Sequence, residues 1–448
     1  MKRKMTRVIA MMLAAAMALG GCSSVGSSGG SVESDSAGAE HEAITDLVLA
    51  KVATSELATF NLLSSETSAD TQYLTNIWDG LLEVDNYGEL APCIAEDWGR
   101  EDGGLTWTFT LRDNVTWVDV DGNEKAPCNA QDFLTGLEWI LNYHKNDSAN
   151  TSMPMEMIDG AEEYYEYTKN LTQEEAYALD AGEDSVFRQM VQVEAPDDYT
   201  LVYHCITEKP YFDTVAAYSC LYPLAQGLVD ELGVDGIKSM NNENMWYNGC
   251  YTMTSYIQGN EKVFTKNPAY WDTDCTLFDT VTIKMVESND VAYQLYQAGE
   301  IDEVSLTESN VMTISKDESN PYHDQMVEWP ADFRSYQFHF NYDKRNEDRT
   351  PDTNWNTAIA NEAFRLSWYY GLDLTDFYSR TNAINPLSCE NNFYSMPGLL
   401  YTSDGTDYTE LVRQDLGLPE ENGETMVRLD ADLAAQYKQQ AIDELTAL

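Results

Sequence analysis

The 448-residue chain carries 76 acidic and 26 basic side chains, a formal net charge of −50 at pH 7. So negative a body repels phosphate backbones and anionic headgroups, which excludes nucleic acid as a partner. The length exceeds what one hydrophobic core organises and calls for two or three lobes.

Taken in order, the chain begins with Lys2, Arg3, Lys4 and Arg7, followed by an uncharged run from Val8 to Leu19. This is the basic and then apolar layout of a secretory signal, too short to span a bilayer. Leu19-Gly-Gly-Cys22 follows, and a serine and glycine tract starts at once. The segment resembles the lipobox of bacterial lipoproteins, which implies cleavage before Cys22, acylation of its thiol and attachment to a membrane by lipid. Residues 1–21 are therefore read as a signal, and their loss leaves 22 − 76 = −54 charges. Residues 22–45 hold Glu33, Asp35, Glu40 and Glu42 with almost no apolar side chain, as a flexible tether would. Gly26-Ser-Ser-Gly-Gly30 fits a nucleophile-elbow pattern, but neither the strand nor the helix that such an elbow needs flanks it.

Leu105-Thr-Trp-Thr-Phe-Thr-Leu111 alternates strictly and predicts a half-buried strand. Val115 to Val118 predicts a second strand running into a tight turn at Asp119 to Asn123, not a calcium loop, because Trp117 and Cys128 would hold ligand positions. Asn129 and Asp132 predict a capping box for a helix with Phe133, Leu137, Ile140 and Leu141 on its buried stripe. Asp197–Ile206, Thr280–Met285 and Ser335–Tyr342 alternate like strands. Helices are predicted over Val291–Ala298 and Asn356–Tyr370, stopped by Gly299 and Gly371, and from Asp432 to the last residue. Strands alternating with helices give an α/β class. The helix from Asp432 has no strand after it, so the second lobe is expected to be incomplete.

Seven cysteines follow Cys22, an odd number with no C-x-x-C spacing, and an exported chain is expected to pair some of them and leave at least one free. The five histidines show no metal-ligand spacing, so neither a metal nor a cofactor is expected.

Several stretches together resemble the extracellular solute-binding proteins of peptide and nickel ABC importers. They are Tyr73-Leu-Thr-Asn-Ile-Trp-Asp-Gly-Leu-Leu-Glu-Val-Asp85, Gly88-Glu-Leu-Ala-Pro92, Ala95-Glu-Asp-Trp98, Gly104 to Arg112, Ala130-Gln-Asp-Phe133, Asn248-Gly-Cys-Tyr251, Asn267-Pro-Ala-Tyr-Trp271 and Gly299-Glu-Ile-Asp302. The resemblance implies a two-lobed Venus-flytrap fold with an inserted small domain, its C-terminal part missing here. The expected division is lobe I over 46–82 and 195–332, the small domain over 83–194, and an incomplete lobe II over 333–448. It also implies a monomeric, non-enzymatic receptor on the extracytoplasmic face of the membrane, passing oligopeptides to ABC permease subunits. By position, Glu66, Thr67 and Ser68 in the first lobe and Tyr336, Phe338 and Asn341 in the second match places where such proteins touch ligand; Trp246 and Tyr247 are further candidates. The alternatives are an oligosaccharide receptor of the same fold, a secreted glycosidase, for which paired carboxylates decide nothing among 76 acids, and a surface adhesion lipoprotein.

Overall fold

The computed structural model describes residues 45–447, apart from residues 53–55, 66, 86–88, 147–149, 274–277, 328–335, 391–392, 396–399, 403–404 and 416–427. Cys22, the signal and all of the tether but its last residue lie outside the described residues. The chain divides into two compact units, Met1–Ser305 and Leu306–Leu448.

The first unit carries strands β1 (Asp46–Val52), β2 (Leu82–Val84), β3 (Leu90–Pro92), β4 (Ala95–Glu101), β5 (Thr106–Leu111), β6 (Thr116–Val118), β7 (Glu124–Pro127), β8 (Val193–Asp197), β9 (Thr200–His204), β10 (Tyr251–Ile257), β11 (Glu261–Lys266) and β12 (Thr280–Val286). One four-stranded sheet has the order β1-β12-β11-β10, with β1 parallel to β12 and the other pairs antiparallel. Leu47, Leu49, Val281 and Ile283 lie in register across β1 and β12 and are buried. Asp302, in the Gly299-Glu-Ile-Asp302 stretch, covers part of the exposed edge of β1: its carboxylate accepts the Val48 N–H at 2.9 Å and its own N–H donates to the Val48 carbonyl at 2.8 Å. Such a clasp blunts an edge that would otherwise invite another strand.

The second large sheet, β4-β5-β9-β8, is antiparallel throughout. Trp107, Phe109 and Leu111 of β5 are buried as their alternation predicts, and Phe109 meets Tyr203 of β9 edge to face at 5.9 Å. Residues 197–206 are not one strand: β8 ends at Asp197 and β9 starts at Thr200. The Asp197 carboxylate accepts the Tyr199 N–H at 2.9 Å, which turns the chain between them. β8 contains residue 194, where the small domain was expected to end, so this sheet runs across that boundary. The β6–β7 hairpin and its turn form as expected; both Asp119 oxygens accept from the Asn123 amide, and Oδ1 also accepts two backbone N–H groups.

The helix Ala130–Leu141 has the complete Asn129/Asp132 capping box, and its stripe is fully buried. The helix Asn289–Ala298 stops at Gly299, whose φ of 72° is the left-handed cap that glycine accepts without strain.

In the second unit the run 356–370 is two helices, Thr353–Ala360 and Glu362–Gly371. Asn361 ends the first with an extended backbone and caps the second by accepting the Phe364 N–H at 2.8 Å, and Gly371 lies inside the second helix instead of stopping it. The helix Ala431–Thr446 packs on Glu362–Gly371, with Tyr437 stacked on Tyr370 at 5.7 Å and 8° between the rings. The strand expected at Ser335–Tyr342 is absent from its described residues, 336–342, which are irregular and mostly exposed. Among the described residues no strand pairs with this run, and alternation alone does not hold an unpaired strand.

Candidate functional site

The first-lobe candidates lie where the chain leaves β1 and enters the helix Ser68–Leu74. This end of the sheet is set by register: Val52 of β1 pairs with Val286 of β12, and the Met285 N–H donates to the Asn260 carbonyl in the β10–β11 turn. The loop after β1 and that turn therefore share one end of the sheet.

Thr67 caps the helix, its hydroxyl accepting the Asp70 N–H at 3.1 Å. Asp70 is fully buried and fixes the loop from inside: Oδ1 accepts the Ala58 N–H at 2.7 Å and Oδ2 the Ser65 hydroxyl at 3.0 Å. Leu62 and Leu63 plug the middle of the loop into the core, and Asn61 caps the short turn they form. Thr67 and Ser68 are exposed at the end of this braced segment. Their hydroxyls and the partly exposed Ser65 hydroxyl make a polar rim suited to hydrogen bonding. Glu66 lies outside the described residues.

Trp246 and Tyr247 are placed differently. Tyr247 is completely buried; its backbone pairs with Val118 and its hydroxyl donates to the Asn242 carbonyl. Trp246 is 6% exposed and sits against Gly227, with the Lys125 ammonium 5.0 Å from its ring. Both are packing residues in this arrangement. Tyr336, 85% exposed, and Phe338, 69% exposed, stand in the second unit beside Asn341. The Asn341 carbonyl accepts Trp355 Nε1 at 2.7 Å, which ties this segment to the helix Thr353–Ala360. A broad open groove of about 580 Å³ runs along the same helix, lined by Pro351, Thr353, Asn356, Thr357, Ala360, Asn361 and Leu445.

Sequence reasoning missed two buried polar centres of the first unit. Asp79 donates its N–H to Asn248 Oδ1 at 2.9 Å, and its carboxylate accepts Trp271 Nε1 at 3.1 Å. Asn248 Nδ2 faces Cys128 Sγ at 3.9 Å, and Cys128 lies against Asp132, which accepts Trp117 Nε1 at 2.9 Å. Burial pushes both carboxyls up to about 6, against the donors that favour their anions. The Trp-Asp-Gly and Asn-Gly-Cys-Tyr stretches are thus one buried network, and their spacing of 169 residues hid it. The second centre is Glu56 with Lys262, taken up below. Cys93, Cys128, Cys205, Cys220 and Cys250 are free thiols held among core side chains, where burial pushes each thiol up, so the pairing expected of some cysteines does not occur among these five. Among the described residues no group of three or more His, Cys, Asp or Glu is placed to hold a metal, and no helix is long and apolar enough to cross a membrane.

Residues 89–380 match the family model of bacterial extracellular solute-binding proteins, family 5 middle. The chain is 28% identical over 362 residues to the oligopeptide-binding protein SarA of Streptococcus gordonii, covering 79% of this chain and 51% of that one. It is 26% identical to the oligopeptide-binding protein AliA of Streptococcus pneumoniae, covering 80% of this chain and 52% of that one. The chain therefore spans about half the length of these relatives. Among solved structures, the substrate-binding domain of an oligopeptide ABC transporter from Bacillus anthracis aligns with a TM-score of 0.60 at 20% identity, over 91% of this chain and 68% of that one. The murein tripeptide binding protein MppA of Escherichia coli aligns with a TM-score of 0.59 at 22% identity, over 90% and 66%. At these identities the likeness is one of fold: the mixed α/β fold of two-lobed periplasmic binding proteins.

Proposed function

The chain belongs to family 5 of the bacterial extracellular solute-binding proteins, and from that premise we propose that it is a receptor that captures oligopeptides and hands them to the permease of an ABC importer. The observation that carries this reading is the match, over about four fifths of the chain, to relatives whose names state oligopeptide binding. The polar rim of Ser65, Thr67 and Ser68 adds a physical reason. Hydroxyls held on a braced loop can pair with peptide N–H and C=O groups, which every peptide presents whatever its side chains. Exposed aromatic faces at Tyr336 and Phe338 would add sequence-tolerant contact area from the second lobe.

On this reading the working form is a monomer tethered by lipid on Cys22, with the extracytoplasmic face as its place of action. Closure of two lobes on ligand would be a hinge equilibrium biased by contacts that each lobe makes. Cys22→Ser should release the protein from membranes; continued partition with the membrane fraction would refute the anchor.

The ligand class is tested by melting the protein with a random tri- to pentapeptide pool, with cello-, xylo- and malto-oligosaccharides, and with a nickel chelate. A peptide present at one hundred times its dissociation constant should stabilise the folded form by about 2.7 kcal/mol. Stabilisation by a sugar or the chelate, and none by peptides, would overturn the peptide reading and leave the family assignment standing.

A further inference from the structure

Lys262 on β11 is fully buried, which is expensive for an ammonium unless its surroundings replace water. Its Nζ lies 2.6 Å from Glu56 Oε1 and 5.3 and 5.2 Å from the ring centres of Tyr73 and Tyr256, so one carboxylate and two aromatic faces enclose it. Glu56 is the hub. Oε1 also accepts the Tyr256 hydroxyl at 3.1 Å and its neighbour's N–H, from Leu57, at 3.1 Å, and Oε2 accepts the Gly259 N–H at 2.7 Å. Burial raises the Glu56 carboxyl, but Lys262 and the two N–H donors outweigh it and hold the group below the usual carboxylate range.

The partition of these partners decides what the pair does. Lys262, Tyr256 and Gly259 all belong to the β10–β11 hairpin, whose own ladder does not involve Glu56. Glu56 belongs to the loop that leaves β1 and carries, in turn, Ala58, the Leu62–Leu63 plug and the Ser65, Thr67 and Ser68 hydroxyls. Asp70 closes that loop from its far end through Ala58 and Ser65. Removing the cation therefore leaves the hairpin its backbone bonds and deprives the loop of its root. If the pair served only to hold the sheet, an apolar pair of similar volume would do at least as well.

We propose that Lys262 is a positioning residue for the ligand rim, acting through Glu56 to fix the root of the loop that presents Ser65, Thr67 and Ser68. The proposal rests on the reading of that rim as a ligand contact, and Lys262 itself touches no ligand. In Lys262→Met the Glu56 carboxylate is left without its cation and turns to water, drawing Leu57 and Ala58 with it.

The test compares K262M, E56Q, the double variant and K262R by hydrogen exchange and by affinity for the tri- to pentapeptide pool, in the intact chain. K262M should speed exchange of the Leu57–Ser65 amides about tenfold while β10 and β11 stay within about twofold, and should weaken peptide binding by about tenfold. Adding E56Q to K262M should recover most of both, because a neutral side chain needs no cation and still accepts from Gly259. K262R should behave as the parent. Loop and hairpin loosening together, or a double variant as impaired as K262M, would reduce the pair to fold support and overturn the proposal. Should K262M fail to fold, the Glu56→Ala, Lys262→Met double variant decides, because it removes the carboxylate that roots the loop and leaves no unpaired buried charge: faster loop exchange with an intact hairpin supports the latch, and unchanged loop exchange overturns it. Exchange as expected with peptide affinity unmoved in K262M and also in a triple Ser65, Thr67 and Ser68 to Ala variant would instead refute the rim as the contact surface.

Discussion

The two units solve the problem of burying apolar surface to very different degrees. The first holds every named strand and a continuous core in which Trp78, Trp117, Phe109, Phe133 and Phe212 are essentially inaccessible. The second, among its described residues, buries only Ile314, Ile359, Ala363 and Ala441 as hydrophobic side chains, and leaves Tyr336, Phe338, Phe377 and Ile384 more than half exposed. Aromatic content does not distinguish them; sheet does. A strand pair offers side chains on a common face at close spacing, whereas the helices Glu362–Gly371 and Ala431–Thr446 bury one narrow seam.

The contrast can be broken by substitution. Phe109→Ala should cost about 3–5 kcal/mol, because the hole it leaves is walled by Trp107, Tyr203 and other core side chains that cannot collapse into it. A denaturant titration in which this variant unfolds within 1 kcal/mol of the parent, an order-of-magnitude bound, would contradict so rigid a core. Gly249→Ala should cost about 2–4 kcal/mol, since its Cβ would sit 2.6 Å from the Ile77 carbonyl carbon, a backbone atom that cannot rotate away. Preserved stability there would mean the Asn248–Gly249 segment is looser than described.

Acidity sharpens the comparison next. Asp79 and Asp132 of the first unit are pushed up to about 6 by burial. The folded state therefore holds their protons more tightly than the unfolded chain does. Their contribution is intact below the ordinary carboxylate value of 3.8 and is lost as the pH rises through 6. The first unit should lose on the order of 1–3 kcal/mol per group over that window, and Asp79→Asn should flatten its share of the slope. A melting profile of D79N parallel to the parent's would refute the assignment. The smallest effect is expected in the second unit, where Phe338→Ser should change stability by no more than about 0.5 kcal/mol. A large loss would reveal a partner surface for that ring.

Local rules made much of the first unit legible. The β5 alternation, the Asn129/Asp132 box and the Gly299 stop each depend on residues within one turn or one strand of each other. Errors arose where a short polar residue had two local options. Asn361 serves as the end of one helix and the cap of the next, and Asp197 turns a strand-like run into a hairpin. The Tyr336–Tyr342 alternation misled because a period of two reports a half-buried face only when something covers it. Thr67 and Ser68 were singled out by position alone, and the structure finds them exposed at the start of the helix Ser68–Leu74. Trp246 and Tyr247 were not legible as packing residues, since Tyr247 is committed by Val118, far away in sequence. The Glu56 to Lys262 contact is closed by a parallel crossover, and no pattern in a linear chain marks it.

The five unlinked thiols bear on how the first unit reaches its shape. Cys93, Cys128, Cys205, Cys220 and Cys250 lie apart in sequence, yet none is joined to another of the five by a covalent bond. The folded order of these segments therefore needs no disulfide among the five to hold it. Refolding from denaturant should proceed as well in strong reductant as in its absence, and oxygen becomes a hazard of the unfolded chain rather than a condition of the folded one.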